Sequence, residues 1–182
     1  ILFVHPNAAH KIYQDLSKDY SAIEPPIWGG MLTSHCLKRG FRADIIDCEA
    51  LYLSDEESAR RILEYNPKVA CFVVYGQQPS ASSQNMEGAI ALAELVRQHS
   101  PHIKILFVGG HIAALPREVM TRHPFIDFVC QNEGVYTISN LLRTNLEDKL
   151  DQVAGLGYRQ EGRIVLNPPS PIVAKEDLPQ EL

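Results

Sequence analysis

The 182-residue sequence has no excess of basic charge: 17 Lys and Arg stand against 22 Asp and Glu, for a formal net charge of -5. With no basic face to neutralise a phosphate backbone, nucleic-acid binding is disfavoured. Long hydrophobic runs are missing too. The longest, Val69–Tyr75 and Ile103–Val108, are strand-sized and far below the ~18 residues of a membrane span. The four cysteines, Cys36, Cys48, Cys71 and Cys130, form no C-x-x-C pair. Cys71 and Cys130 lie in apolar runs, where a free thiol packs as a small hydrophobe. Reduced, buried cysteines in a cytoplasmic protein are the expectation, not a disulfide or zinc framework. The chain has no internal repeat and no low-complexity segment. It opens at Ile1 inside an apolar run with no basic lead, as expected of a piece of a longer chain. At 45% hydrophobic it is too apolar for disorder, and its length suits one core and a tail.

What is present is a regular alternation of strand and helix patterns. Ile1–Val4 reads as a strand, ended by His5-Pro6-Asn7. A helix is predicted from Trp28 to the Arg39-Gly40 stop, then a strand over Ala43–Ile46. Ser54-Asp55-Glu56-Glu57 forms an N-cap with acids in the first turn, followed by Ala59, Ile62 and Leu63 at helical spacing. Val69–Tyr75 is apolar throughout, as a strand covered on both faces should be. After a loop over Gly76–Ser83 comes a long helix with Met86, Ile90, Ala93 and Val96 on one stripe. A strand over Ile103–Val108 ends in Gly109-Gly110-His111. Pro116 suits the first turn of a short helix to Arg122. Phe125–Cys130 reads as the fifth strand, and a helix carries Val135, Ile138, Leu141 and Leu142. Gly155–Arg159 and Arg163–Asn167 read as a β-hairpin, and Pro168-Pro169, Pro171 and Pro179 mark an extended linker.

Five such units predict an α/β, doubly wound, mostly parallel five-stranded Rossmann-like (flavodoxin-like) sheet of order 2-1-3-4-5, with a C-terminal β-hairpin and linker. The division expected is residues 1–150 for the α/β domain and 151–182 for the hairpin and linker. Ligands of such sheets lie beyond the carboxyl ends of the strands. Those ends hold glycine, small polar residues and amides, not paired acids or a nucleophile with its base. The first turn, His5-Pro6-Asn7-Ala8-Ala9-His10, lacks the glycines of a dinucleotide fingerprint and the hydroxyls of a flavodoxin phosphate loop. Receiver-domain acids, a Gly-Lys-Ser/Thr loop and a nucleophile elbow are missing as well. A large polar ligand held by backbone and hydroxyl groups fits this profile; a self-contained catalytic site does not.

Several segments carry a more specific likeness. They are Pro25-Pro26-Ile27-Trp28-Gly29-Gly30-Met31-Leu32 with Leu37–Asp47, then Val108-Gly109-Gly110-His111 through Leu115-Pro116-Arg117-Glu118-Val119-Met120. Asp127–Gly134, the two hairpin arms and Glu176-Asp177-Leu178-Pro179 complete the ordered set. Together they resemble the N-terminal cobalamin-binding domain of cobalamin-dependent radical S-adenosylmethionine enzymes, across nearly the whole chain. Asn132 stands where that family usually has glycine. The Asp-x-His-x-x-Gly motif that places a histidine under cobalt in many cobalamin domains is absent, as it commonly is in the radical subgroup. The Cys-x-x-x-Cys-x-x-Cys motif is absent too.

The resemblance implies binding of cobalamin in base-off, His-off form, with a 4Fe-4S cluster and S-adenosylmethionine in a radical barrel beyond Leu182. The fragment itself would not be catalytic, and no metal ligands of its own are expected. The implied cofactor-binding residues are Pro6, Asn7, His10, Trp28, Gly76, Gln77, Gln78, Ser80, Ser82, Gly109, Gly110, His111, Glu133 and Gly134. Each has a plainer reading. His10 either meets the corrin or is a solvated loop histidine, and Gly109-Gly110 either approaches the nucleotide tail or makes a tight turn. One of the serines is an N-cap, Asp47 caps a turn, and Trp28 covers the ring or packs in the core. The rival functions are a cobalamin-free docking or substrate-recognition module, and a small hydrolase or metal enzyme using His5, His10 and His111.

Overall fold

A computed structural model describes residues 1–8, 23–76 and 79–174. Its elements in chain order are β1 (Leu2–His5), α1 (Ile27–Lys38), β2 (Asp44–Asp47), α2 (Asp55–Tyr65), β3 (Val69–Val74), α3 (Pro79–His99) and β4 (Lys104–Gly109). There follow α4 (Gly110–Ala114), α5 (Pro116–Arg122), β5 (Phe128–Cys130), α6 (Val135–Leu142), β6 (Leu156–Gln160) and β7 (Arg163–Leu166). The strands form one sheet of order β2-β1-β3-β4-β5-β6-β7. The first five are parallel, in the expected 2-1-3-4-5 order. The predicted hairpin is present, and it continues the sheet: β6 pairs antiparallel with β5, Phe128 opposite Tyr158, and β7 lies outside it. Its turn, Glu161-Gly162, has φ of 49° and 76°, the pair of positive values that a two-residue hairpin favours.

The sheet is buried on both sides, which is why β3 is apolar at every position. Ala70, Phe72 and Val74 point into one core with Ile62 of α2, Leu92 of α3 and Met120 of α5. Val69, Cys71 and Val73 point into the other with Leu32 of α1 and Ile138 of α6. The alternation is the period-2 geometry of a strand. All four cysteines are free and buried, packed as the small hydrophobes expected. Burial pushes the Cys36 and Cys48 thiols up to about 11. Among the described residues no helix is long and apolar enough to cross a membrane.

Three local expectations are corrected. The fifth strand starts at Phe128 and not at Phe125. Asp127 instead turns its carboxylate to accept the Ile105 backbone N–H at 2.7 Å and pairs with Arg97. Arg97 also binds the Phe125 carbonyl at 3.2 Å, so the segment before β5 is bolted across rather than paired. The long helix begins at Pro79, a residue suited to a first turn, so Ser80, Ser82 and Ser83 belong to its opening turns and not to a loop. A short helix, α4, occupies Gly110–Ala114 where a loop was expected. The Ser82 hydroxyl accepts the His111 N–H at 3.0 Å, satisfying one of the donors a helix start leaves open. After β7 the chain is extended, and residues 175–182, including the expected Glu176–Pro179 segment, lie outside the described residues.

Candidate functional site

The carboxyl ends of β1, β3, β4 and β5 come together at one edge, and two neighbouring features occupy it. The first joins β3 to β4. Gly109 lies directly beside Val74 in the ladder, and a Cβ there would sit 2.1 Å from the Val74 carbonyl oxygen. Only glycine permits that approach. The same carbonyl accepts the Ser82 hydroxyl, and Ser83 Oγ lies 2.9 Å from His111 Nδ1. The start of α3 is thereby laced to the Gly109-Gly110-His111 turn. Ser82 is almost fully enclosed and spends its hydroxyl on this lacing, whereas Ser83 is exposed and His111 half-buried.

The second feature is a cavity of about 200 Å³ between β1, β3 and the start of α1. Pro26, Ile27, Trp28, Met31, Val73 and Tyr75 wall it, and Gly76 is also on the lining. The Trp28 and Tyr75 rings stack with centroids 4.5 Å apart and planes inclined by 23°. Burial, with the charge of Glu133 nearby, drives the Tyr75 phenol upward, so the ring stays neutral. His5 at the end of β1 reaches the cavity, its Nε2 3.3 Å from Glu49 Oε2. Glu24 is also on the lining, the remaining ionisable side chain there among the described residues.

Of the implied residues, Trp28 and Gly76 line the cavity, while Ser82, Gly109, Gly110 and His111 form the adjoining turn. Gly134 joins the edge from the β5 side. It takes φ +81° ahead of α6, and a Cβ would meet Val108 Cγ2 at 2.8 Å. Glu133 precedes it, half-buried. Pro6 is buried beneath the edge, and Asn7 donates to the Leu53 carbonyl at 3.2 Å. His10, Gln77 and Gln78 lie outside the described residues, and Ser80 is placed by its backbone alone, in the first turn of α3. Asp47 accepts the Glu49 and Ala50 N–H groups, the turn cap expected of it. Tyr75, Glu24 and Glu49 went unnoticed in the sequence. Tyr75 was hidden by its apolar run, although an aromatic just past a strand end is a usable signal. Among the described residues, no three His, Cys, Asp or Glu gather as a metal site.

Comparison with known proteins decides what this edge belongs to. The sequence profile of the B12 binding domain matches residues 17–142. The chain belongs to that family. Its relatives include the anaerobic magnesium-protoporphyrin IX monomethyl ester cyclase of Synechocystis, 23% identical over 155 residues. That match covers 85% of this chain and 30% of the cyclase. The radical S-adenosylmethionine methyltransferase TsrM of Kitasatospora setae, solved with cobalamin and a 4Fe-4S cluster bound, superposes with a TM-score of 0.71 at 15% identity. It covers 96% of this chain and 29% of TsrM. The cobalamin-dependent S-adenosylmethionine radical enzyme OxsB, solved with aqua-cobalamin and S-adenosylmethionine, gives 0.68 at 20% identity, covering 94% of this chain and 22% of OxsB. The B12 binding domain described here thus spans less than a third of the proteins it matches. The matched region contains the cavity-lining residues of α1 and β3, though not His5, and both glycine turns.

Proposed function

We propose that this chain binds cobalamin with both the nucleotide base and any protein histidine off the cobalt, as one module of a radical S-adenosylmethionine enzyme. The observation that carries the reading is the family match over residues 17–142, which contains the Gly109-Gly110-His111 segment at the carboxyl end of β4. The residues fit the group. A corrin ring has a broad face rimmed by amides; the Gly109-Gly110 turn, Ser83 and His111 offer backbone and polar partners beside it. Trp28 and Tyr75 offer an aromatic wall, and Glu133-Gly134 the far rim. The first turn has no Asp-x-His-x-x-Gly spacing, which supports a cobalt free of protein imidazole. When bound, the corrin supplies a cobalt centre able to carry a methyl group or exchange electrons. The chain's own part is to seat the ring and leave its other face open.

Residues 1–150 would be the corrin-binding unit, and residues 151–182 would lead through the hairpin and linker toward the barrel holding the 4Fe-4S cluster and S-adenosylmethionine. The full-length protein would carry out methyl transfer or related radical chemistry, in the reducing cytoplasm that suits four free thiols. The cyclase and methyltransferases among the relatives support this class of chemistry without selecting one substrate. The test is direct. The chain is incubated with hydroxocobalamin and desalted; a retained corrin spectrum at about one equivalent is expected, and a colourless protein overturns the reading.

A further inference from the structure

The chain leaves β7 through Asn167, with prolines at 168, 169 and 171. A proline has no N–H, so such a stretch is held mainly by what its carbonyls accept, and the fold brings donors to them. The Gln131 side chain donates to the Asn167 carbonyl and the Gly155 N–H to the Pro168 carbonyl. The Asn132 side chain donates to the Ser170 carbonyl at 2.9 Å. Asn167 is itself buried, and its amide donates to the carbonyls of Leu150 at 2.6 Å and Val153 at 2.9 Å in the bend before β6. No strand or helix runs over residues 167–174. Side-chain amides and one backbone N–H therefore order this segment as far as Ser170.

Asn132 faces two ways. Its Nδ2 serves the outgoing segment, while its Oδ1 accepts the Gly134 N–H at 3.4 Å. Gly134 lies against the end of β4, where a Cβ would meet Val108 Cγ2 at 2.8 Å, so the backbone of this turn has little room to shift. We infer that the Asn132 amide joins the order of residues 167–170 and the placing of the Glu133-Gly134 turn in a single equilibrium, so that a ligand held at the turn tightens the outgoing segment. The inference rests on the proposed cobalamin binding, in which Glu133-Gly134 is the far rim. Its physical basis is local opening. When the segment lifts, Asn132 loses its acceptor at Ser170 and regains rotamer freedom, and its oxygen leaves the Gly134 N–H. A ligand that needs the turn in place must then order it first. The effect is reciprocal by linkage: the ligand favours the closed segment as much as the closed segment favours the ligand. Glycine, the residue usual here in the domains this sequence resembles, offers neither group.

The amide hydrogens of Gly155 and Asn167 report on the segment, because the first is bonded to Pro168 and the second to Leu156 across it. Their exchange with solvent deuterium is followed by NMR in the 182-residue chain, with and without hydroxocobalamin. Saturation with the corrin should slow both at least about fivefold. Asn132→Gly should speed both in the free chain, abolish their response to the corrin and weaken cobalamin by the same factor. Asn132→Asp keeps an acceptor for Gly134 and loses the donor for Ser170. A role confined to the turn predicts that its exchange response survives, and the inference predicts that it vanishes. Asn167→Ala, checked for folding by circular dichroism, works from the other end: it loosens the segment without touching the turn, and cobalamin affinity should fall. Exchange at Gly155 and Asn167 that ignores saturating cobalamin overturns the inference and leaves the proposed function standing, as does a response that persists in Asn132→Gly. A chain that retains no corrin overturns both.

Discussion

The middle of β3 and its carboxyl end, a few residues apart on one strand, are held by different physics. In the middle, Phe72 stacks on Phe107 of β4 with centroids 5.1 Å apart, both fully enclosed. That region is stabilised by apolar burial, which depends on volume and tolerates exchange of one hydrophobe for another. At the end, the Val74 side chain is still in the core, but its carbonyl oxygen accepts the Ser82 hydroxyl and lies against the flank of Gly109. There the tolerance is a few tenths of an ångström and the chemistry is polar. Apolar burial is concentrated in the first region and the proposed corrin contact lies at the second, so substitutions in the two should separate the readouts.

The largest loss of stability is expected from Phe72→Ala, about 3–5 kcal/mol by urea or thermal unfolding. Corrin retained per folded molecule should be unchanged; a parallel loss of affinity would break the separation. Gly109→Ala comes next. Its added methyl meets backbone and not a pliable side chain, so about 1–3 kcal/mol of overpacking is expected. Corrin retention should nevertheless fall further than in Phe72→Ala. Ser54→Ala lies far from both regions and removes the oxygen that accepts Glu57 N–H at 3.2 Å. It should cost about 1 kcal/mol and leave corrin binding untouched.

An effect invisible at neutral pH comes last. Cys36 and Cys48 are raised by burial to about 11, from 9.0, so the folded state favours their neutral thiols. Their contribution is fully present below pH 9 and lost as pH rises from 9 through about 11. Unfolding midpoints should be level with respect to these groups up to about pH 8.5 and then decline. Replacing both by Ser should flatten that alkaline decline.

Periodic elements were legible in the sequence because their signals are local. The Ser54 cap, the Pro116 helix start, the fully apolar β3 and the strand order all follow from residues close in the chain or from the crossover rule. Glycines at strand ends were legible as close approaches, and at Gly109 and Gly134 the structure shows what they approach: the Val74 carbonyl and the Val108 side chain. It was not legible where the determining contact spans the chain. His5 meets Glu49 across 44 positions, and Ser82 organises the His111 turn across 29. Neither pair has a spacing that would reveal it. The same reason accounts for α4, a helix in which the His111 N–H is answered by Ser82 of another element.

The segment that leaves the hairpin is stitched to the candidate site's edge. Gln131 Nε2 donates to the Asn167 carbonyl at 2.8 Å, Asn132 Nδ2 to the Ser170 carbonyl at 2.9 Å, and Gly155 N–H to the Pro168 carbonyl at 2.7 Å. Asn132, the residue that departs from glycine, is one of the stitches. The start of the proline-bearing segment, as far as Ser170, is thus fixed to the turn that carries Glu133-Gly134 and is not a slack tether. Spacing between this module and any that follows is then set as far as Ser170 by hydrogen bonds, as a splint sets a joint.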